Sequence, residues 1–373
     1  MEVNAPIEAA VAIVGAGPAG TAAAAHLSRL GVGDVVLLDT HPFPRDKTCG
    51  SGVSPKGIEV LRELGVWEDV RRSAYPITGL RVITPKGRTL ELSGGSTSDA
   101  IVCLRRTLDH LILQRAQAAG VRFVPHFTAS RLLTERGRVK GVVARDGREV
   151  RARATVIAGG THCRLIPEGR PRKTIQAIMG WWEGVPFRDH HVEMVFDPMV
   201  LPLYGWLFPE GGDRVNIGIT YEDADGTKNA RELFRRFLDR HYAQRLAHAR
   251  PIGGWKGHPI ATSYRIERLT SPGRIVVGES ALLTHPATAE GIYQGMRSGM
   301  MAAEALRDVL QSGADEAIAF AAYERRCRKA FRASFLGGGM FRLLIRTPIL
   351  DLVAGLAATP IVRRTTARIL ASF

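Results

Sequence analysis

The chain has 373 residues, 45% of them hydrophobic and 23% charged, which excludes a disordered chain, a collagen and a small disulfide scaffold. Lys and Arg number 51 against 36 Asp and Glu, a net charge of +15. A balance that basic points to an anionic partner: nucleic acid, a membrane surface or a phosphorylated ligand.

The first residues carry no Lys or Arg ahead of their apolar stretch and do not read as a secretory leader. Val11–Val14 predicts a buried strand, Gly15-Ala-Gly17-Pro18-Ala19-Gly20 a turn, and the Ala-rich run to Leu30 a helix stopped at Gly31–Gly33. Val35–Leu38 predicts a second strand, ending at Asp39. Helices follow over Pro55–Leu64 and Thr107–Ala119. Short strands are expected over Arg131–Glu135, Val139–Arg145, Arg148–Ala152 and Thr155–Ala158. Ile175–Ser263 is aromatic, turn-rich and strand-like, with one helix near Asn229–His241. Arg274–Val277 predicts a strand ending at Gly278-Glu279-Ser280, and Gly291–Leu310 a long helix. From Tyr323 onward the chain is helical and basic, with ten Lys/Arg against Glu324 and Asp351. Its apolar run Leu343–Val362 is interrupted by Arg346, Pro348, Asp351 and Pro360, so no spanning helix is expected.

The strand–Gly15-x-Gly17-x-x-Gly20–helix order predicts a dinucleotide site. The first glycine allows the turn, the second lets backbone approach a pyrophosphate, and the third packs helix on strand. The helix N-terminus offers unpaired N–H groups to phosphate. Asp39, 19 residues beyond Gly20, is placed for ribose hydroxyls. The chain then breaks into antiparallel strands instead of further βα units, and returns at Gly278-Glu279-Ser280. A helix N-terminus at Gly291-Ile292 is placed to face a flavin. A split site of this kind suits FAD. Cys49, Cys103, Cys163 and Cys327 form no Cys-x-x-Cys pair, so neither zinc nor disulfides are expected and the compartment reads as cytoplasmic. His190-His191 lacks a third ligand at a metal spacing, and no nucleic-acid module is visible.

Several segments together carry a family likeness. They are Phe43-Pro44-Arg45-Asp46-Lys47-Thr48-Cys49-Gly50-Ser51-Gly52, Arg106-Thr107-Leu108-Asp109, Tyr204-Gly-Trp206-Leu-Phe208-Pro209, and Pro286-Ala-Thr-Ala-Glu290-Gly291-Ile292. With them the chain resembles the geranylgeranyl reductase family of FAD-dependent oxidoreductases, within the p-hydroxybenzoate hydroxylase-like flavoproteins. The resemblance implies an α/β fold: a Rossmann-like FAD-binding domain (1–75, 100–170, 266–315) interrupted by an antiparallel β-sheet substrate domain (76–99, 171–265). A basic helical C-terminal region (316–373) follows. It implies cofactor contacts from Gly15, Gly17, Pro18, Ala19, Gly20, Asp39, Arg45, Cys49, Gly50, Arg106, Gly278, Glu279, Gly291 and Ile292. It implies catalytic positions at Cys49, Tyr204 and Trp206, the last two also walling a hydrocarbon pocket. The activity implied is reduction of C=C bonds in an isoprenoid or lipid, with NAD(P)H or another reductant as donor.

Departures exist. Gly278-Glu279 replaces the family's Gly-Asp, and Ala158-Gly159-Gly160-Thr161 replaces its Gly-Ala-Asp-Gly. Gly-Glu-Ser also occurs in flavin-dependent halogenases, so a monooxygenase or halogenase stays open, as does a non-catalytic flavin-binding accessory protein. Tyr204, Trp206 and Phe208 share one strand face and could equally be sheet core. Arg45 and Lys47 fit phosphate or reduced-flavin contacts, or a solvated loop. The basic tail fits an anionic membrane surface on the cytoplasmic side, or a solvated face.

Overall fold

The structure, a computed structural model, describes residues 5–93, 100–166 and 174–356. Three sheets organise it. The first is built on Ile7–Val14, which pairs in parallel with Val35–Leu38 on one side and Glu149–Ile157 on the other. Arg122–Val124 extends it beyond Val35–Leu38, and Arg274–Val276 beyond Glu149–Ile157, both parallel. Val11–Val14 and Val35–Leu38 are continuous buried apolar runs because helices cover them, as parallel sheets require. The helix Pro18–Arg29 is buried over Ala19–Leu27 and packs against Ile292–Gln311. That explains the alanines. At Gly299 a Cβ would overlap the Ala19 carbonyl oxygen, so small residues on both helices set the close approach.

Two expected elements differ. Arg148–Ala152 and Thr155–Ala158 are one strand, Glu149–Ile157. Its first half alternates buried and open residues, and its second half is wholly buried, so the pattern changes inside a single element. A short helix at Trp67–Ser73 was not foreseen.

The second sheet runs in the order Arg250–Pro251, Thr174–Glu183, Arg214–Glu222, Gly205–Gly211, His191–Val195, Gly79–Ile83, Thr89–Ser93, with Lys256–Ala261 also on Thr174–Glu183. It is antiparallel except where His191–Val195 meets Gly79–Ile83 in parallel. That hairpin arrives from far earlier in the chain, so no tight turn dictates its direction. Side chains alternate across this sheet. Ile178, Trp182, Leu207, Ile217 and Ile219 pack on Phe234 and Phe237 of the helix Ala230–His241. The residues between them face the first sheet.

The helix Glu316–Leu344 packs on Ile292–Gln311 through Phe320, Tyr323, Cys327, Phe331 and Phe335. Ile349–Leu356 follows. Among the described residues no helix is long and apolar enough to cross a membrane. Residues 357–373, including Pro360 and the end of the basic tail, lie outside the described residues.

Candidate functional site

A cavity of ≈ 970 Å³ runs between the first and second sheets. At its first end Gly15 takes φ +102°, and a Cβ there would lie 2.5 Å from the Ala158 carbonyl oxygen. At Gly20 a Cβ would overlap the Gly15 carbonyl oxygen. The strand can therefore turn directly into the helix, and Gly15, Gly17, Pro18 and Ala19 line the cavity while Gly20 lies behind them. Asp39 Oδ2 accepts the Ala16 N–H at 2.8 Å, which holds the carboxylate against the turn.

Two guanidiniums converge beside Gly17. A Cβ on Gly17 would lie 3.9 Å from an Nη2 of both Arg45 and Arg105. Arg105 donates to both oxygens of buried Asp109 at 2.7 Å, and Arg45 Nη1 lies 3.3 Å from the same carboxylate. Burial works against the Arg105 charge, and Asp109 outweighs it, so the guanidinium stays ionised. This corrects the expectation for Arg106, which is exposed and outside the cavity lining. The i,i+4 spacing from Arg105 to Asp109 on one helix face is the signal that selects the right residue.

Beyond them the Arg45–Ser54 segment crosses the cavity. Lys47 Nζ lies 2.8 Å from His258 Nε2, a partner on the strand Lys256–Ala261 that the sequence did not suggest. Burial lowers the Lys47 pKa, and burial followed by Lys47 pushes His258 down to about 3, so the imidazole is neutral. Cys49 Sγ accepts the Ser51 N–H at 3.3 Å and also faces Arg105. Gly50 lies against the rings of Phe208 and Trp206; its Cβ would meet each at 3.3 Å. Glu279, one methylene longer than Asp, accepts the Ala261 N–H at 3.1 Å and so ties the first sheet's return turn to the second sheet. Gly278 sits behind the cavity wall against Ala19.

The far wall begins at the N-terminus of Ile292–Gln311. Gly291 precedes that helix with no side-chain cap, and Gly291, Ile292 and Gly295 face the cavity. Burial raises the pKa of the Glu290 carboxyl, which Ser54 hydrogen-bonds. Glu290 Oε1 and Thr284 Oγ1 are buried with no hydrogen-bond partner among the described residues. Both belong to cavity-lining residues.

The rest of the cavity is largely apolar. Leu80, Leu92, Ile101, Met179, Met194 and Ile260 line it together with Tyr204, Trp206 and Phe208. The three aromatic centroids follow one another at 6.3 and 6.1 Å. At Gly218, on the neighbouring strand, a Cβ would overlap the Trp206 ring, so glycine there lets the indole lie flat on the sheet. Trp206 Nε1 donates to Asn216 Oδ1 at 2.7 Å, and Asn216 Nδ2 to the Gly180 carbonyl at 3.0 Å. The Tyr204 hydroxyl donates to the Thr288 carbonyl. Both polar hydrogens are therefore committed to partners within the protein.

The charged end fits FAD. Gly17, Arg45 and Arg105 would hold its pyrophosphate, Asp39 its ribose hydroxyls, and the N–H groups at Gly291–Ile292 with Glu290 and Thr284 the polar edge of its ring.

Comparison with known proteins agrees. A family model described as "FAD binding domain" matches residues 8–197. A menaquinone reductase of Mycobacterium tuberculosis is 31% identical over 329 residues, 79% of this chain and 76% of the relative. A digeranylgeranylglycerophospholipid reductase of Methanopyrus kandleri is 27% identical over 339 residues, 87% of this chain and 83% of the relative. Among solved structures, a geranylgeranyl bacteriochlorophyll reductase-like protein of Thermoplasma acidophilum superposes with a TM-score of 0.85 at 21% identity, covering 97% of this chain and 96% of the other. A flavin-dependent brominase follows the same fold at TM-score 0.81 and 20% identity, covering 98% and 94%. Site and comparisons converge: the chain belongs to the geranylgeranyl reductase family of FAD-dependent oxidoreductases.

Proposed function

We propose that this oxidoreductase reduces carbon–carbon double bonds of an isoprenoid chain carried by a lipid. The apolar chamber that opens off the charged groove carries the reading: it is lined by aliphatic and aromatic side chains and offers few polar partners. The names of the relatives support it. NAD(P)H or another external reductant would supply the electrons.

Bound FAD would supply hydride transfer to the chain. The protein does the rest. Leu80, Leu92, Met179 and Met194 desolvate the chain, and the Trp206 face limits its sideways movement. Arg45, Arg105 and the Gly291 helix end hold negative charge at the groove. Cys49, which lines the cavity beside Gly50 and the Trp206 face, would give the proton to an alkene carbon from Sγ.

The test is anaerobic incubation of the flavin-loaded protein with dithionite and a geranylgeranyl-bearing glycerolipid, read by mass spectrometry. Gain of two hydrogens per double bond is expected, and Cys49→Ala should keep its flavin and lose most turnover. Product that gains oxygen under air, with no hydrogenated lipid formed, would overturn the reading in favour of a monooxygenase or halogenase. That rival draws on Gly278-Glu279-Ser280.

A further inference from the structure

One surface remains unexplained by the site. Along the helix Glu316–Leu344, Arg325, Lys329, Arg332, Leu336, Met340 and Leu343 recur at steps of four, three, four, four and three, which places them on a single face. All six are exposed. Met340 and Leu343 are 61% and 69% exposed, values at which isolated apolar side chains are normal and a continuous row is not. Leu344, at the helix end, and Ile349 and Leu352, on the next helix, are exposed as well. Among the described residues, Arg325, Lys329 and Arg332 have no ion-pair partner, unlike Arg326 and Arg328, which pair with Glu304 and Glu324. The face is thus basic in its first half and apolar in its second. Residues 357–373 add Arg363, Arg364 and Arg368 and no acid.

The other side of the same helix touches the site. His285 Nε2 lies 3.2 Å from the Ser334 carbonyl oxygen, and Arg342 donates to the Pro286 carbonyl. A Cβ at Gly338 would lie 2.7 Å from the His285 ring, so glycine permits that approach. Ile345 and Leu350 pack with Leu80 and Leu92, which line the chamber. The C-terminal end of this helix and the segment after it therefore share a hydrophobic cluster with the chamber wall.

We propose that this face docks on an anionic lipid bilayer, with Leu336, Met340 and Leu343 entering the headgroup–acyl boundary and Arg325, Lys329 and Arg332 meeting lipid phosphates. Charge complementarity selects the bilayer over a second copy of the chain, whose identical cations would face these. The proposal deepens the lipid-reductase reading and rests on it for its purpose: the chain to be reduced would come from the membrane under the chamber.

The test is co-sedimentation of the flavin-loaded full chain with vesicles of phosphatidylcholine alone or mixed with phosphatidylglycerol. Binding to the mixed vesicles alone, weakened by salt, is expected. R325Q/K329Q/R332Q should weaken it on the order of a hundredfold, and L336E/M340E about tenfold or more. Both variants should keep their flavin and their turnover of detergent-solubilised lipid. No pelleting at low salt, equal pelleting with both vesicle types, or pelleting untouched by both variants would overturn the proposal. So would a dimer in solution that L336E/M340E splits in the absence of vesicle binding. Vesicle binding needs no turnover, so an inactive protein that binds leaves the docking face standing while the reductase reading falls.

Discussion

The two ends of the cavity are built differently. The groove end is made of backbone and paired charge: the Gly15–Gly20 turn, a helix terminus, and two guanidiniums locked on one buried carboxylate. The chamber end is made largely of apolar side chains from many strands of the second sheet, with its few polar groups held by bonds such as Trp206–Asn216, Thr220–Tyr204 and Tyr204–Thr288. A rigid, charged mould suits one ligand of fixed shape, and a soft apolar wall suits a chain that slides. Substitutions at the first end should therefore act all or none on the cofactor. Those at the second should grade the choice of substrate.

The sharpest way to break this contrast is Gly20→Val. Its side chain has no room beneath the Gly15 carbonyl, so the turn must open and FAD binding should fall by roughly a hundredfold or more. The purified variant should be colourless, whereas Trp206→Ala should stay yellow. A yellow Gly20→Val protein of normal flavin content would remove the distinction.

Next in size is the pair Arg105→Met and Arg106→Met. The first leaves Asp109 buried beside Arg45 alone, and breaking a buried pair costs about 3–5 kcal/mol. Denaturant unfolding should show that loss together with weaker flavin retention. Arg106→Met, at an exposed position, should change stability by no more than ~0.5 kcal/mol.

That pair also shows where sequence reading stops. The turn, Asp39 and the return at Gly278 were legible because they are local: a strand, a spacing and a helix fix them. Arg106 for Arg105 is an error of one residue, equal to a rotation of about 100° on a helix, and only the Asp109 pairing settles it. Lys47–His258 was not legible, since the partners are joined by a strand edge and no local pattern links them. The aromatic strand was legible as one face of a sheet. What it faces depends on how the two sheets stack.

A smaller effect is expected in acid. Burial pushes His285 down to about 4, so the folded protein keeps this imidazole neutral. In the unfolded chain it titrates near ~6.5. Between those values the unfolded state binds the extra proton, so stability should fall as pH drops from about 6.5 to about 4. Complete expression of a shift this size would amount to about 3 kcal/mol, and other buried groups such as His258 add to the same window. Urea midpoints across that range should show a shallower acid-side slope for His285→Asn than for the natural chain. An unchanged slope would mean that the Pro286–Glu290 loop does not depend on a neutral imidazole between it and Ser334.

The gentlest perturbation tests the join between the two ends. The Tyr204 hydroxyl bonds the chamber to the loop at Thr288, and burial raises its pKa, so it remains a donor. Tyr204→Phe keeps the ring in the wall and removes only that bond, costing ~1 kcal/mol. If the bond merely fastens the wall, stability should drop by that amount while flavin content and turnover of a long-chain lipid stay within about twofold. Should turnover collapse with stability intact, the phenol is acting on the substrate itself, and the wall is chemically active after all.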